Sequence, residues 1–187
     1  MERPSIRSYQ LRGARMTKAQ RQAIENHQEF LIENPTSFHP RELFPEKSEV
    51  VVEIGSGMGE ATAEIAKTFP EKGFLAIEVH RPGIGSLILR ALALEVANVK
   101  MINDDCHLIL INEEFSRVLA TKLRTGGVLR VATDWQEYAT QIRRVLDENP
   151  DLTGGIVERP EWRPLTKFES QGINKEHRVT DFLYTKI

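Results

Sequence analysis

The chain has 187 residues and is 40% hydrophobic, which suits one domain built on a single sizeable core. A net charge of -2 excludes bulk attraction to nucleic acid, so any polyanionic partner has to meet a local basic patch. No apolar run approaches the roughly 18 residues of a membrane span, no opening stretch reads as a signal peptide, and the single Cys106 has no partner for an internal disulfide, which points to a reducing cytoplasm.

Residues 1–21 form a basic arm: Arg3, Arg7, Arg12, Arg15, Lys18 and Arg21, with no acid after Glu2. No helical or strand period stands out there, so the stretch reads as a solvated tail or as an arm that lies along phosphates. Ala19 to Ile32 has helical spacing, and Pro35, Pro40 and Pro45 punctuate the loop that follows.

Val50-Val51-Val52-Glu53-Ile54 is apolar on both faces, which predicts a buried parallel strand. Gly55, Gly57 and Gly59 then allow a sharp turn, and Glu60 to Lys67 continues with helical spacing. A strand, a glycine turn and a helix N-terminus present unpaired amides and a positive dipole end to a ligand. A dinucleotide site needs a third glycine where the helix packs on the strand, and Glu60 stands there instead. Glu53, inside the strand end, would attract an ammonium group and repel a pyrophosphate. The pattern E-x-G-x-G-x-G resembles the first motif of doubly wound S-adenosylmethionine-dependent methyltransferases. A nicotinamide or other nucleotide site is the main alternative, and a turn that merely connects two elements is the structural one.

Gly73 to His80 is a second buried strand that ends in Glu78, about 20 residues past the glycines, where an acid can accept hydrogen bonds from ribose hydroxyls. Pro82-Gly83 opens a helix running through Leu94. Asn98 to Ile102 is the third strand, and Asp105 leaves its carboxyl end, where an acid can approach an adenine amino group. Here the pattern breaks. A parallel crossover takes a dozen or more residues, and the chain goes from Asn103 through Ile111 straight into a helix start capped by Asn112. That helix ends at Gly126-Gly127, before the strand Val128 to Thr133. Asp134-Trp135 leaves this strand, and Gln136 to Leu146 is a helix. Ile156-Val157 starts a short edge strand, and Val179 to Tyr184 alternates as a half-buried antiparallel edge. The order expected is an α/β, doubly wound, Rossmann-like fold whose fourth strand is missing.

Longer strings then agree. Arg7-Ser8-Tyr9 with Arg15-Met16-Thr17, Val52 to Gly59, Ile77-Glu78-Val79-His80-Arg81-Pro82-Gly83, Asp105, Ala132-Thr133-Asp134-Trp135, and Thr166-Lys167-Phe168-Glu169 with Gly172 span nearly the whole chain. In these the chain resembles the bacterial tRNA (guanine-N7-)-methyltransferase family. The resemblance implies one methyltransferase domain over residues 1–187, with a mostly parallel sheet and an antiparallel edge strand. It implies methyl transfer from S-adenosylmethionine to N7 of a variable-loop guanine in tRNA. Carried over by position, Glu53, Gly55, Gly57, Glu78 and Asp105 would hold S-adenosylmethionine. Asp134 would face the substrate guanosine together with Thr166, Lys167, Phe168 and Glu169. The partner implied is tRNA, with no membrane; monomer and homodimer both stay open.

The family also carries a motif resembling F-P-D-P-W and a basic run on the fourth strand and its loop, and this chain has neither. Strand counting and resemblance thus point to one hole between Ile111 and Asn112, the size of a helix-strand unit plus a loop, roughly 25 to 35 residues. Either an unresolved segment is closed over by the numbering, or the chain has a true deletion.

Guanine N7 exposes a lone pair and carries no proton at neutral pH, so the reaction needs alignment rather than a strong base. The product is cationic, so a nearby carboxylate favours the transition state; Asp134 is the best candidate present. Cys106 reads as a small core residue, and His80 and His107 lack metal-ligand spacing, so no metal is expected. The alternatives are a small-molecule methyltransferase, which needs no basic arm, and a non-catalytic RNA-binding module if the deletion is real.

Overall fold

The computed structural model describes residues 15–32, 40–103, 111–164 and 179–187. The chain divides into two compact units, residues 1–107 and 108–187. Outside the described residues lie the arm up to Ala14, Pro35, Asp105, Cys106, His107, Thr166, Lys167, Phe168, Glu169 and Gly172.

In the first unit, Thr17 and Gln20 make a reciprocal capping box, Gln20 N donating to Thr17 Oγ1 (3.2 Å) and Thr17 N to Gln20 Oε1 (2.9 Å). It starts helix α1 (Lys18–Asn26). The helix is shorter than its apolar spacing predicts. Leu31 bridges to Met101 instead, and Ile32 N donates to the Met101 carbonyl at 2.9 Å.

Three strands, β1 (Glu49–Ile54), β2 (Lys72–Ile77) and β3 (Val99–Ile102), form a parallel sheet in the order β1-β2-β3. Helices α2 (Glu60–Thr68) and α3 (Arg81–Ala93) make the crossovers. Ala63, Ala66, Ile84, Leu87, Ile88 and Ala91 from these helices close over Phe74, Ala76, Val99 and Met101. Buried Asn98 secures the end of α2: its Nδ2 donates to the carbonyls of Ala66 (3.0 Å), Phe69 (3.2 Å) and Lys72 (2.8 Å). β2, paired on both sides, is as buried as expected. β1 is not: Val51 and Val52 are 38% and 44% exposed. Among the described residues it pairs with β2 alone, as an edge strand does, and a run of valines does not reveal how many neighbours a strand has.

The second unit holds α4 (Glu113–Lys122), β4 (Val128–Thr133), α5 (Gln136–Asp147), β5 (Leu152–Val157) and β6 (Thr180–Lys186). Its strands are antiparallel in the order β4-β6-β5. The antiparallel strand near the end of the chain is therefore present, but at the centre of this sheet rather than at an edge, and Phe182 and Tyr184 are only 1% exposed. They pack with Ala120, Ile142, Val145 and Leu146 of the helices.

The backbone runs from Ile111 directly into Asn112, whose φ of -127° and ψ of 174° are those of an extended N-cap accepting from Phe115 N at 2.8 Å. Ile111 N donates to the Tyr138 hydroxyl (2.9 Å), and Gln141 Nε2 donates to the Ile111 carbonyl (2.9 Å). Among the described residues no helix is long and apolar enough to cross a membrane.

Candidate functional site

The glycine turn after β1 has the conformation its residues allow. Gly55, Gly57 and Gly59 all have positive φ (79°, 59° and 72°), which other L residues rarely adopt. A Cβ on Gly55 or Gly57 would meet nothing within 4 Å, so the turn leaves open space beside its backbone. A Cβ on Gly59 would lie 2.4 Å from Leu87 Cβ, so this glycine lets α2 start against α3.

Two carboxylates frame the turn from below. Glu53, at the end of β1, accepts a hydrogen bond from the Thr62 hydroxyl at 2.7 Å. Desolvation pushes its carboxyl above the usual range; the Thr62 hydroxyl opposes that rise, and the charge of Glu78 adds to it. Glu78 follows β2 and is 7% exposed. One of its oxygens accepts from Gly57 N at 2.6 Å and the other from His80 N at 2.8 Å, so a single side chain ties the glycine turn to the start of α3. Asn103, beyond β3, donates from Nδ2 to the carbonyls of Glu78 (2.8 Å) and Val79 (3.2 Å) and holds that segment from the other side.

Not every polar atom here is satisfied. Ser56 Oγ and His80 Nε2 are buried and find no hydrogen-bond partner among the described residues. An unsatisfied buried polar atom costs about 1–3 kcal/mol, and both flank the glycine turn, where a polar ligand would supply partners. An acid raised by desolvation at the same place gains from a cation that enters.

The structure thus gathers Glu53, Gly55, Gly57 and Glu78 at the carboxyl ends of β1 and β2, where open α/β sheets bind ligands. Asp134 belongs to the second unit, at the carboxyl end of β4, next to Trp135, whose ring lies 5.8 Å from that of Tyr138. Asp105, Thr166, Lys167, Phe168 and Glu169 lie outside the described residues. Sequence reasoning missed Thr62, Ser56 and Asn103. Thr62 had a weak signal, a β-branched hydroxyl within an alanine-rich helical turn. Gly83 was legible only as part of a helix start, whereas a Cβ there would sit 2.1 Å from the Gly57 carbonyl oxygen.

Comparison with known proteins follows the same lines. A family model described as "Putative methyltransferase" matches residues 47–112 and 107–182. The tRNA (guanine-N(7)-)-methyltransferase of Shewanella frigidimarina is 34% identical over 218 residues, covering 97% of this chain and 92% of that protein. That of Nitrosomonas europaea is 36% identical over 220 residues, covering 98% and 97%. Among solved structures, an rRNA methylase from Streptococcus thermophilus matches with a TM-score of 0.53 at 16% identity, over 76% of this chain and 88% of that one. A "putative methyltransferase" from Streptococcus mutans in complex with SAH matches with a TM-score of 0.53 at 11% identity, over 81% and 100%. These two share the doubly wound methyltransferase fold.

The Shewanella alignment spans 218 positions although it takes in only 97% of this chain's 187 residues, so the relative carries residues that this chain lacks. The two stretches of the family match meet at residues 107–112, where the fourth unit was found wanting. Similarity at this level over nearly the whole of both proteins means that the chain belongs to the tRNA (guanine-N7-)-methyltransferase family.

Proposed function

We propose that this protein transfers a methyl group from S-adenosylmethionine to N7 of a variable-loop guanine in tRNA, in the cytoplasm, as one methyltransferase domain of residues 1–187. The observation that carries this reading is the first-unit site: a desolvated Glu53, a Glu78 bridging two backbone amides, open positive-φ glycines, and two buried polar atoms without partners. These residues fit the donor. Its sulfonium and ammonium groups are cationic and suit Glu53, and its hydroxyls and purine suit the groups left unsatisfied around the turn. Gly55 and Gly57 let the donor approach the backbone, and Asp105 is the further residue proposed to hold it.

Once bound, the donor supplies an electrophilic methyl group. Glu53 and Glu78 orient it, and no residue has to abstract a proton, because N7 presents a free lone pair. Asp134, Thr166, Lys167, Phe168 and Glu169 hold the guanosine, and the Asp134 carboxylate opposes the positive charge that develops on the purine.

The test is methyl transfer from labelled S-adenosylmethionine to unmodified tRNA, followed by borohydride reduction and aniline cleavage, which cuts the chain at 7-methylguanosine. Cleavage at one variable-loop guanine is expected. Label on another nucleotide, or on small acceptors alone, would overturn the proposal. A second reading, a tRNA-binding module without turnover, is favoured by one observation: the alignment to the Shewanella relative is longer than this chain, so the chain lacks positions that the relative carries. It requires tRNA binding with no methyl transferred.

A further inference from the structure

The first turn of α3 is wedged between two elements. On one side a Cβ at Gly83 would meet the Gly57 carbonyl oxygen at 2.1 Å; on the other a Cβ at Gly85 would meet the Gln20 carbonyl oxygen at 2.6 Å. The glycine turn and α1 are thus held against opposite sides of one helical turn. Where α1 meets the start of α3, Met16, Arg21, Ile24, Glu25 and Arg81 line a shallow cleft.

The cations around this cleft are unspent. Some cations elsewhere in the described chain are paired, Arg90 with Glu60 at 3.4 Å, Arg144 with Glu113 at 3.3 Å and Arg163 with Asp181 at 3.1 Å, while Lys67, Arg117 and Lys122 are exposed and unpaired but line no cleft with a second such cation. Arg15, Lys18, Arg21 and Arg81 are exposed, and among the described residues their side chains make no hydrogen bond or ion pair. Lys18 and Arg21 are three apart on α1 and so share a face. Glu25 is the one carboxylate lining the cleft, and among the described residues it too is unpaired. Met16 and Ile24, which also line the cleft, bring no charged acceptor to compete. Arg21 and Arg81 line the cleft, and Arg15 and Lys18 neighbour its lining residues along the chain, in a protein whose net charge is negative, so the patch cannot be a by-product of overall basicity.

We propose that this cleft seats the phosphodiester backbone of tRNA, with Arg21 and Arg81 each on a phosphate and Arg15 and Lys18 extending the track. The guanidinium fork matches phosphate oxygens two at a time. The inference rests on the reading of tRNA as substrate and adds the place where its backbone docks, one helical turn from the donor loop.

The test measures binding of unmodified tRNA to the full chain over a salt series, with Arg21→Ala/Arg81→Ala, Arg21→Lys/Arg81→Lys and Glu25→Gln beside the wild type. The double alanine variant is expected to bind on the order of tenfold or more weakly near physiological salt, with a log–log salt slope shallower by about 2, one unit for each phosphate no longer neutralised. The lysine variant should recover most of that slope, Glu25→Gln should tighten binding, and calorimetric affinity for S-adenosylmethionine should not change. Weaker binding with an unchanged slope would mean the arginines support structure only and would overturn the inference, as would a double alanine variant that binds like wild type. A wild type that methylates tRNA while the double alanine variant keeps its KM and slope sinks this inference alone. A wild type that does not bind tRNA sinks the substrate reading with it.

Discussion

In the second unit the polar side chains brace one element against another. The Tyr184 hydroxyl donates to Asp147, Asn149 Nδ2 donates to Ser116 Oγ at 2.7 Å, Arg163 pairs with Asp181 at 3.1 Å, and Lys186 with Asp151 at 2.7 Å. In the first unit they gather at the ends of parallel strands and around one turn, and several find no partner among the described residues: Ser56 Oγ, His80 Nε2, Arg21 and Arg81. A satisfied polar group holds a fold together, whereas an unsatisfied one beside open glycines awaits a ligand. On this comparison the first unit carries donor chemistry, and the described part of the second is scaffold, with Asp134 as the proposed exception.

Asp134 is the sharpest way to break the contrast. Asp134→Ala is expected to lower methyl transfer to tRNA by about 10²–10³-fold, the range for removing a group that meets developing charge, while calorimetric S-adenosylmethionine affinity holds. Full activity would return the whole second unit to scaffold. Next comes Glu53→Ala, which should weaken S-adenosylmethionine binding by roughly 10–100-fold, as loss of a charged hydrogen bond does; unchanged calorimetric affinity would detach the acid from the site.

Glycines extend the contrast to packing. In Gly83→Ala the new methyl collides with the Gly57 carbonyl oxygen, 2.1 Å away, so denaturant melts should show a loss of about 1–3 kcal/mol and donor affinity should fall as well. At Gly155 a Cβ meets nothing within 4 Å, and Gly155→Ala should stay within about 0.5 kcal/mol of wild type. If the two alanines behave alike, the wedge at α3 has no consequence. Smallest is Tyr184→Phe, which removes the hydroxyl donated to Asp147. It should cost about 1 kcal/mol, or some 2–4 °C in Tm for a domain of roughly this size, with kcat unaltered. Burial and the adjacent Asp147 raise the pKa of this tyrosine, so the hydroxyl keeps its proton and the bond persists well into alkaline solution.

How much of this was legible in the residues depended on the range of the interaction. Glu53 stood out because an acid interrupts a run of valines, and Glu78 because it ends an apolar strand at a fixed distance from the glycines. Asn112 announced a cap, and it caps α4. The missing fourth unit was readable from connection length alone. What escaped was long-range or relational. The exposure of Val51 and Val52 depends on how many neighbours β1 has, and the central place of β6 depends on pairing Val128 with Thr185 across the whole second unit. The Thr62 bond to Glu53 and the seating of Gly83 on Gly57 need the turn to be built first.

The most direct test of the donor site is S-adenosylmethionine affinity as a function of pH, by calorimetry, in wild type and Glu53→Gln. Because burial raises the Glu53 pKa in the folded state, its contribution to stability is present at low pH and is lost as pH rises through that pKa. Glu53→Gln should therefore melt at a higher temperature at neutral pH. Donor binding should run the other way: wild-type affinity rises with pH as the Glu53 carboxylate forms, and the glutamine variant binds more weakly without that rise. Equal affinities with the same pH dependence in both proteins would contradict the account, because the donor would then not be held by the acid at the end of β1.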